Sequence, residues 1–139
     1  MMTRGCQIES SLANYRWVSS LFAKIKKMIG AKKRQNVAYA DYVTSSGIGT
    51  MIANSGRKNR PGTVGMPTLR RYITSTVGFP RTYDSEVKLY ENLALKFTPN
   101  TKGIVNLVSE RIICASCAGV GTQFRSDFKG VFVLSRGGF

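Results

Sequence analysis

Two short motifs contain the residues best suited to metal and proton chemistry. Residues 84–86 (Asp-Ser-Glu) offer two carboxylates, and residues 114–117 (Cys-Ala-Ser-Cys) offer two thiols three positions apart. Thiols at that spacing on one helical turn can point at a single ion, and zinc accepts thiolates and carboxylates in a tetrahedral shell. Three such ligands leave a fourth place for water. We therefore predict Zn²⁺ held by Asp84, Cys114 and Cys117.

Glu86 is the predicted catalytic residue. It lies two residues beyond Asp84, so it can face the metal-activated water while Asp84 faces the metal. From there it would move protons between that water and a substrate nitrogen. The chain contains no histidine, which excludes histidine metal sites and Ser-His or Cys-His nucleophile systems.

Each motif also has a plainer interpretation. Asp84 is a favoured N-cap residue, and Glu86 suits the first turn of a helix through the helix dipole. A Cys-x-x-Cys pair can be a redox pair or two buried thiols. The four residues occur together, in order, at two successive predicted helix starts, and this conjunction favours the zinc site.

Hydrophobic periodicity predicts the elements that position these motifs. A spacing of three and four between apolar residues predicts an amphipathic N-terminal helix. Near-continuous apolar runs predict buried strands in the second half of the chain. The predicted elements are a helix over 8–29, a β-hairpin over 36–54, helices over 86–97 and 114–128, and strands over 103–109 and 131–134.

The order of these elements predicts an α/β fold. Strands that alternate with helices become parallel neighbours joined by crossovers, and successive crossover helices begin at the same end of the sheet. The two motifs would therefore meet. We expect one domain over residues 1–139, with a basic flap over 55–83 and a catalytic core over 84–134.

The segments around the two motifs resemble a known protein family. The similar stretches are DSEVKLYENLALKF from residue 84, GIVNLVSERIICASCAGVGTQF from residue 103, NVAYADY from residue 36 and Ala-Asn-Ser-Gly at 53–56. Together they look like the deaminase domains of bacterial polymorphic toxins, in the cytidine deaminase-like superfamily. The ligand-x-Glu and Cys-x-x-Cys signature of zinc deaminases is part of this resemblance.

The resemblance implies a fold and an activity. The fold is a cytidine deaminase-like sandwich, with a mixed central sheet of four to five strands and helices on both faces. The activity is zinc-dependent conversion of cytosine to uracil in nucleic acid, with single-stranded DNA favoured over RNA as the target. A toxin of this kind acts in the cytoplasm of a target cell and is paired with an immunity protein. We expect a soluble monomer without a membrane partner.

The chain departs from the family pattern in three places. Asp84 stands where histidine is the commonest ligand, which makes the metal site more negative. Arg81 or Arg111 would offset that charge. Ile113 precedes the first cysteine of the pair, where proline is usual. A fifth strand, common in the superfamily, has no counterpart before residue 139.

The charge distribution indicates a polyanionic partner. The formal net charge is +14, of which +12 belongs to residues 1–83 and +2 to residues 84–139. Such a field favours phosphate backbones, with an anionic membrane surface as the competitor. Tyr72 and Phe79 could stack on bases. The predicted nucleic-acid-binding residues are Lys32, Lys33, Arg34, Arg57, Lys58 and Arg60.

Two residues beside Asp84 are predicted substrate contacts. Tyr83 is a candidate wall of the substrate pocket, although ordinary packing explains it equally well. Ser85 could contact the substrate through its backbone. Two other functions remain open: a basic nucleic-acid-binding module with a structural zinc, and a deaminase that acts on free nucleosides or on RNA.

Overall fold

A four-stranded mixed sheet and three helices make up the part of the chain, residues 4–74 and 83–139, that the computed structural model describes. This confirms the predicted α/β sandwich, with four strands. The elements are α1 Arg4–Ile29, β1 Val37–Thr44, β2 Gly47–Asn54, α2 Ser85–Lys96, β3 Gly103–Ser109, α3 Ala115–Asp127 and β4 Val131–Gly137.

The strand order is β2-β1-β3-β4. β1 is antiparallel to both of its neighbours, and β3 is parallel to β4 through the α3 crossover, as the alternation of strands and helices predicts. In this register Ala38 pairs with Ser109, and Val37 pairs with Asn54. The start of β1 and the ends of β2 and β3 therefore lie together at one end of the sheet.

Helices cover both faces of the sheet, as predicted. Along β1, Ala38 and Ala40 belong to the apolar cluster that includes α2 and α3, whereas Val37 and Tyr39 belong to the cluster that includes α1. This split follows from the strand's period of two. Gly121 lets α3 approach α2 closely, because a Cβ at this position would lie 2.9 Å from the hydroxyl of Tyr90.

Helix α1 packs through the predicted apolar stripe. Val18, Phe22, Ile25 and Ile29 are buried against the sheet. Gly30, with φ of +71°, ends the helix in the left-handed conformation that glycine adopts most readily. The first part of the stripe, with the side chains of residues 4–15, lies outside the description. Within the described residues, no helix is both long enough and apolar enough to cross a membrane.

The prediction of a buried strand over 131–134 is wrong in two respects. β4 continues to Gly137, and its residues alternate between buried and exposed. Phe132 is 66% exposed and Leu134 is 45% exposed. β4 is an edge strand. Phe132 and Leu134 lie on the same face of the sheet as Ile104, and α1 covers that face only near the start of β1.

The described part of the predicted flap is irregular, and Tyr72 anchors it in the core. Residues 55–74 contain no helix or strand, whereas residues 75–82, with Phe79 and Arg81, lie outside the described part. Tyr72 is buried, with its ring centroid 6.3 Å from that of Phe124. The prediction that Tyr72 stacks on bases is therefore wrong, because a side chain in the core cannot reach a nucleic acid.

Candidate metal centre

The two chemical motifs meet at one end of the sheet. Asp84 directly precedes α2, and Cys114 directly precedes α3. Both helices pack on the same face and contact each other, so their first turns converge beyond the end of β3. The positive ends of two helix dipoles therefore point toward the same group of carboxylates and thiols.

Three potential metal ligands converge in this place. The Asp84 Oδ2 atom lies 3.3 Å from Cys117 Sγ and 3.7 Å from Cys114 Sγ, and the two sulfurs are 3.2 Å apart. Zinc–sulfur bonds of about 2.3 Å place two tetrahedral sulfurs about 3.8 Å apart. The two sulfurs are about 0.6 Å closer than that spacing, so a small outward movement of the thiols would let these residues hold a small divalent ion.

The carboxylate of Asp84 does not act as a helix cap. Asp84 occupies the N-cap position of α2 but makes no side-chain capping hydrogen bond. Its Oδ2 atom is instead directed at the cysteines. At the start of α3, by contrast, Cys114 does cap: its sulfur accepts a hydrogen bond from the Cys117 N–H at 3.4 Å.

Cys117 is almost completely buried among acidic groups. Burial, followed by the negative charge of Glu86, raises the pKa of the Cys117 thiol above its ordinary value. An uncompensated thiolate is therefore unfavourable there. A bound dication reverses this balance, because a metal ion deprotonates a coordinating thiol outright. The donor set is thus chemically suited to a cation as well as geometrically suited to one.

Glu86 lies beside the cluster without being one of its three donors. The residue is 4% exposed, and its Oε2 atom is 3.6 Å from Cys117 Sγ. Its two oxygens accept hydrogen bonds from Ser85, Ser109 and Asn36. Its carboxylate is thus held at a fixed place near the cysteines.

A cavity of about 110 Å³ opens at the cluster. A closed cavity of about 150 Å³ can hold benzene, so this open one has the size for a single small ring rather than a large ligand. Its lining residues are Asn36, Ser55, Asp84, Glu86, Arg111, Ile112 and Cys114. The potential metal ligands and the buried glutamate therefore border the same small space.

The structure bears differently on the two predicted substrate contacts, Tyr83 and Ser85. Tyr83 is not among the residues that line the cavity, and its ring lies under the Arg57 guanidinium at 5.3 Å. Ser85 is fully buried, and its hydroxyl bonds to Glu86. A contact between a substrate and the backbone of Ser85 stays a prediction.

The predicted basic residues lie around the same end of the sheet. The Arg111 guanidinium donates to the backbone oxygen of Arg34 at 2.6 Å, and Arg60 Nε donates to the Gln35 side chain at 3.0 Å. The basic segment 32–34 is therefore adjacent both to the segment 57–60 and to a residue that lines the cavity.

Three polar residues of the site were not among the predicted site residues. Asn36, Ser55 and Ser109 are far apart in the chain, and only the strand register brings them together. All three lie in stretches that were noted in the sequence, at 36–42, 53–56 and 103–124, and this was the one signal that could have found them. Ser109 is the last residue of β3.

Comparison with known proteins gives no assignment. No protein-family model matches the chain, and no curated protein matches it.

Proposed function

We propose that this protein is a zinc-dependent hydrolytic deaminase that converts cytosine to uracil in nucleic acid. The observation that supports this best is the placement of Asp84, Cys114 and Cys117 around one point, with Glu86 beside them on the wall of a ring-sized cavity. Three ligands with an adjacent carboxylate are the arrangement of a catalytic zinc site rather than a closed structural one.

The reaction consumes one water and releases one ammonia. A C–O bond forms at C4 of the base, the C4–N4 bond breaks, and the product tautomer is uracil. Zinc, when bound, supplies Lewis acidity that makes a water molecule nucleophilic at neutral pH. Asp84, Cys114 and Cys117 would hold the ion, and their three negative charges would leave the loaded site with a net charge of about −1.

Glu86 would handle both proton transfers. Its carboxylate would accept a proton as water attacks and would return it to the exocyclic nitrogen as ammonia leaves. Its burial keeps bulk water from exchanging that proton. The hydrogen bonds from Ser85, Ser109 and Asn36 fix its position relative to the cavity.

A small open cavity suits a single base that is no longer stacked on its neighbours. Duplex bases must be flipped out before such chemistry, and single strands avoid much of that cost. Exposed cations at the same end of the sheet, including Arg34 and Arg57, would hold the phosphate backbone. These features favour single-stranded nucleic acid as the substrate. A free nucleoside has no phosphate backbone, so a net charge of +14 would not help the protein to bind it.

The test is direct sequencing of the reacted nucleic acids, with chromatography of uridine as the readout for free cytidine. Single-stranded DNA, duplex DNA, RNA and free cytidine are incubated with wild-type protein and with Glu86→Gln, which preserves side-chain volume. We expect C-to-U changes, strongest in single-stranded DNA, and a loss of about 10²- to 10⁴-fold or more in the variant, with zinc content unchanged. Asp41→Asn, an exposed carboxylate-to-amide change on the sheet, is the matched control.

Two results would contradict the proposal. Full activity in Glu86→Gln would remove the proposed proton carrier. Zinc binding by wild-type protein without deamination of any of the four substrates would favour a basic nucleic-acid-binding module with a structural zinc. The proximity of Glu86 Oε2 to Cys117 Sγ is the observation on which that second function would depend, since Glu86 could then close the metal shell.

A further inference from the structure

We infer that Asn36, Ser85 and Ser109 form a hydrogen-bonding shell that keeps Glu86 out of the metal's coordination sphere and so keeps the fourth metal position open. The inference deepens the proposed function and rests on it, because an open position is what a hydrolytic zinc site needs. These are positioning residues, since they act through Glu86.

The shell contacts both oxygens of Glu86. The Ser85 hydroxyl lies 3.2 Å from Oε2, and Asn36 Nδ2 lies 3.1 Å from Oε1. The Ser109 hydroxyl also donates to Oε1. The carboxylate is therefore held at both ends, by groups that come from the loop before β1, from the first turn of α2 and from the last residue of β3.

The Asn36 amide has two hydrogens and three acceptors within reach. Nδ2 lies 2.9 Å from the hydroxyl oxygens of Ser85 and Ser109 and 3.1 Å from Glu86 Oε1, so its hydrogens serve the two nearer serines and one of them is shared with Oε1. Each hydroxyl then has its own hydrogen free to donate to one oxygen of Glu86. Asn36 thus orients both serines, and the serines orient the glutamate.

The orientation of the Asn36 amide is itself fixed. Its Oδ1 atom accepts a hydrogen bond from the Arg111 N–H at 3.0 Å, which leaves Nδ2 pointing at the serines. The Asn36 N–H donates to the Ser55 hydroxyl at 2.9 Å. Ser55 and Arg111 both line the cavity, as Glu86 does. Asn36 therefore contacts the two loops beside the cavity as well as the Glu86 carboxylate.

Without this shell, Glu86 would be a fourth ligand. Its Oε2 atom is 3.6 Å from Cys117 Sγ, a distance within the 3.2–3.7 Å range that separates the three predicted ligand atoms from one another. Asn36, Ser85 and Ser109 are 8%, 0% and 0% exposed, so water does not compete for their hydrogen bonds. Removal of the serine hydroxyls would leave Asn36 bonded to Oε1 but would free Oε2, the oxygen that already lies beside the metal position.

The test uses cobalt in place of zinc, because tetrahedral Co²⁺ has visible absorption bands that report its ligands. Wild-type protein loaded with Co²⁺ should change its spectrum when azide is added, since azide can enter an open position. In the double variant Ser85→Ala with Ser109→Ala, Glu86 should occupy that position and azide should have little effect. Adding Glu86→Gln to the double variant should restore the azide response.

Kinetics give the second readout. Ser109→Ala should lower kcat for deamination about 10- to 100-fold with little change in KM, as loss of an outer-shell partner does. Ser109→Thr, which keeps the hydroxyl, should recover most of the activity. Ser126→Ala, an exposed serine of α3, is the matched control and should behave as wild type.

The outcomes separate this inference from the proposed function. An azide response that is the same in wild-type and double-variant protein, or failure of the wild type to bind Co²⁺, would overturn the shell. If the azide responses are as expected but no substrate is deaminated, the shell stands and the deaminase proposal fails.

Discussion

At the residue scale, Asp84 decides between a metal site and an ordinary helix start. Aspartate is a common N-cap, and the position of Asp84 directly before α2 is where a cap would stand. Its side chain makes no capping bond, however, and Oδ2 lies 3.3 Å from Cys117 Sγ. The carboxylate is therefore placed for a ligand's role while the backbone begins the helix.

Asp84→Asn should separate the two roles. Asparagine caps a helix as well as aspartate does, so the metal-free variant should unfold at the same temperature as the metal-free wild type. An amide is a poorer zinc ligand than a carboxylate. Loss of an outer-shell partner lowers metal affinity about 10- to 100-fold, and loss of a direct ligand should lower it further. Competition with a chromophoric chelator measures the zinc affinity. Unchanged affinity would show that Asp84 is no ligand.

The sequence was sufficient to predict the potential metal ligands but not the residues that form hydrogen bonds with Glu86. The cysteine pair and Asp84 could be predicted because each directly precedes a helix that periodicity reveals, and because the topology brings such starts together. Asn36 and Ser109 could not, since their proximity depends on the pairing of β1 with β3 at Ala38 and Ser109. Strand register depends on tertiary packing, which the local sequence does not encode.

At the element scale, α2 holds the flap in place as well as beginning at the metal centre. Lys88 Nζ donates to the backbone oxygens of Asn54 and Gly56 at 2.7 and 2.6 Å. One turn further, the Glu91 carboxylate accepts the N–H groups of Arg71 and Tyr72 at 2.9 to 3.1 Å. The flap is therefore fixed at both ends of its described part by one helix.

Lys88 gives this anchoring a pH dependence. Burial lowers its pKa from 10.5 to about 8. At Lys88 the folded state then binds fewer protons than the unfolded state between these values, so the contribution of Lys88 to stability should rise as pH increases from about 8 to 10.5. The raised pKa of Cys117 acts in the opposite direction in every variant, so the test is a comparison. In urea unfolding, the stability change over this pH range should be more favourable in wild-type protein and in the control Lys96→Met, an exposed lysine at the end of α2, than in Lys88→Met. An equally favourable change in Lys88→Met would contradict the account.

The flap also marks a limit of prediction from sequence. Its prolines and glycines correctly predicted irregular structure over 55–74. The anchors were hidden, because a lysine or a glutamate within a helix normally faces solvent. Lys88 and Glu91 are instead buried, at 0% and 2% exposure. Partners supplied by the flap backbone make that burial favourable, and those partners are known only once the fold is known.

At the scale of the whole molecule, positive charge is concentrated where the cavity opens. Lys33, Arg57 and Lys58 are exposed at the end of the sheet that carries the metal cluster. Lys96, Lys102 and Lys129 are exposed too, but they lie at the opposite end: Lys96 ends α2, Lys102 precedes β3 and Lys129 follows α3. The two groups carry equal charge. Variants of each group can therefore distinguish binding through a local contact surface from a general electrostatic attraction.

Changing each trio to glutamine should affect binding differently. Loss of Lys33, Arg57 and Lys58 should reduce the slope of log affinity against log salt by about 2 for single-stranded DNA, because each phosphate contact contributes about 0.7. Loss of Lys96, Lys102 and Lys129 should change the slope little. Fluorescence anisotropy with a labelled oligonucleotide at several salt concentrations measures both. Equal reductions would mean that net charge alone drives binding.

The zinc K-edge X-ray absorption spectrum of the purified wild-type protein tests the account's central claim most directly, because it reports the metal's ligands without any substrate. We expect one zinc per chain, with two sulfur neighbours at about 2.3 Å and two oxygen neighbours at about 2.0 to 2.2 Å, from Asp84 and water. A protein that binds no zinc, or a first shell without the two sulfurs of Cys114 and Cys117, would contradict it.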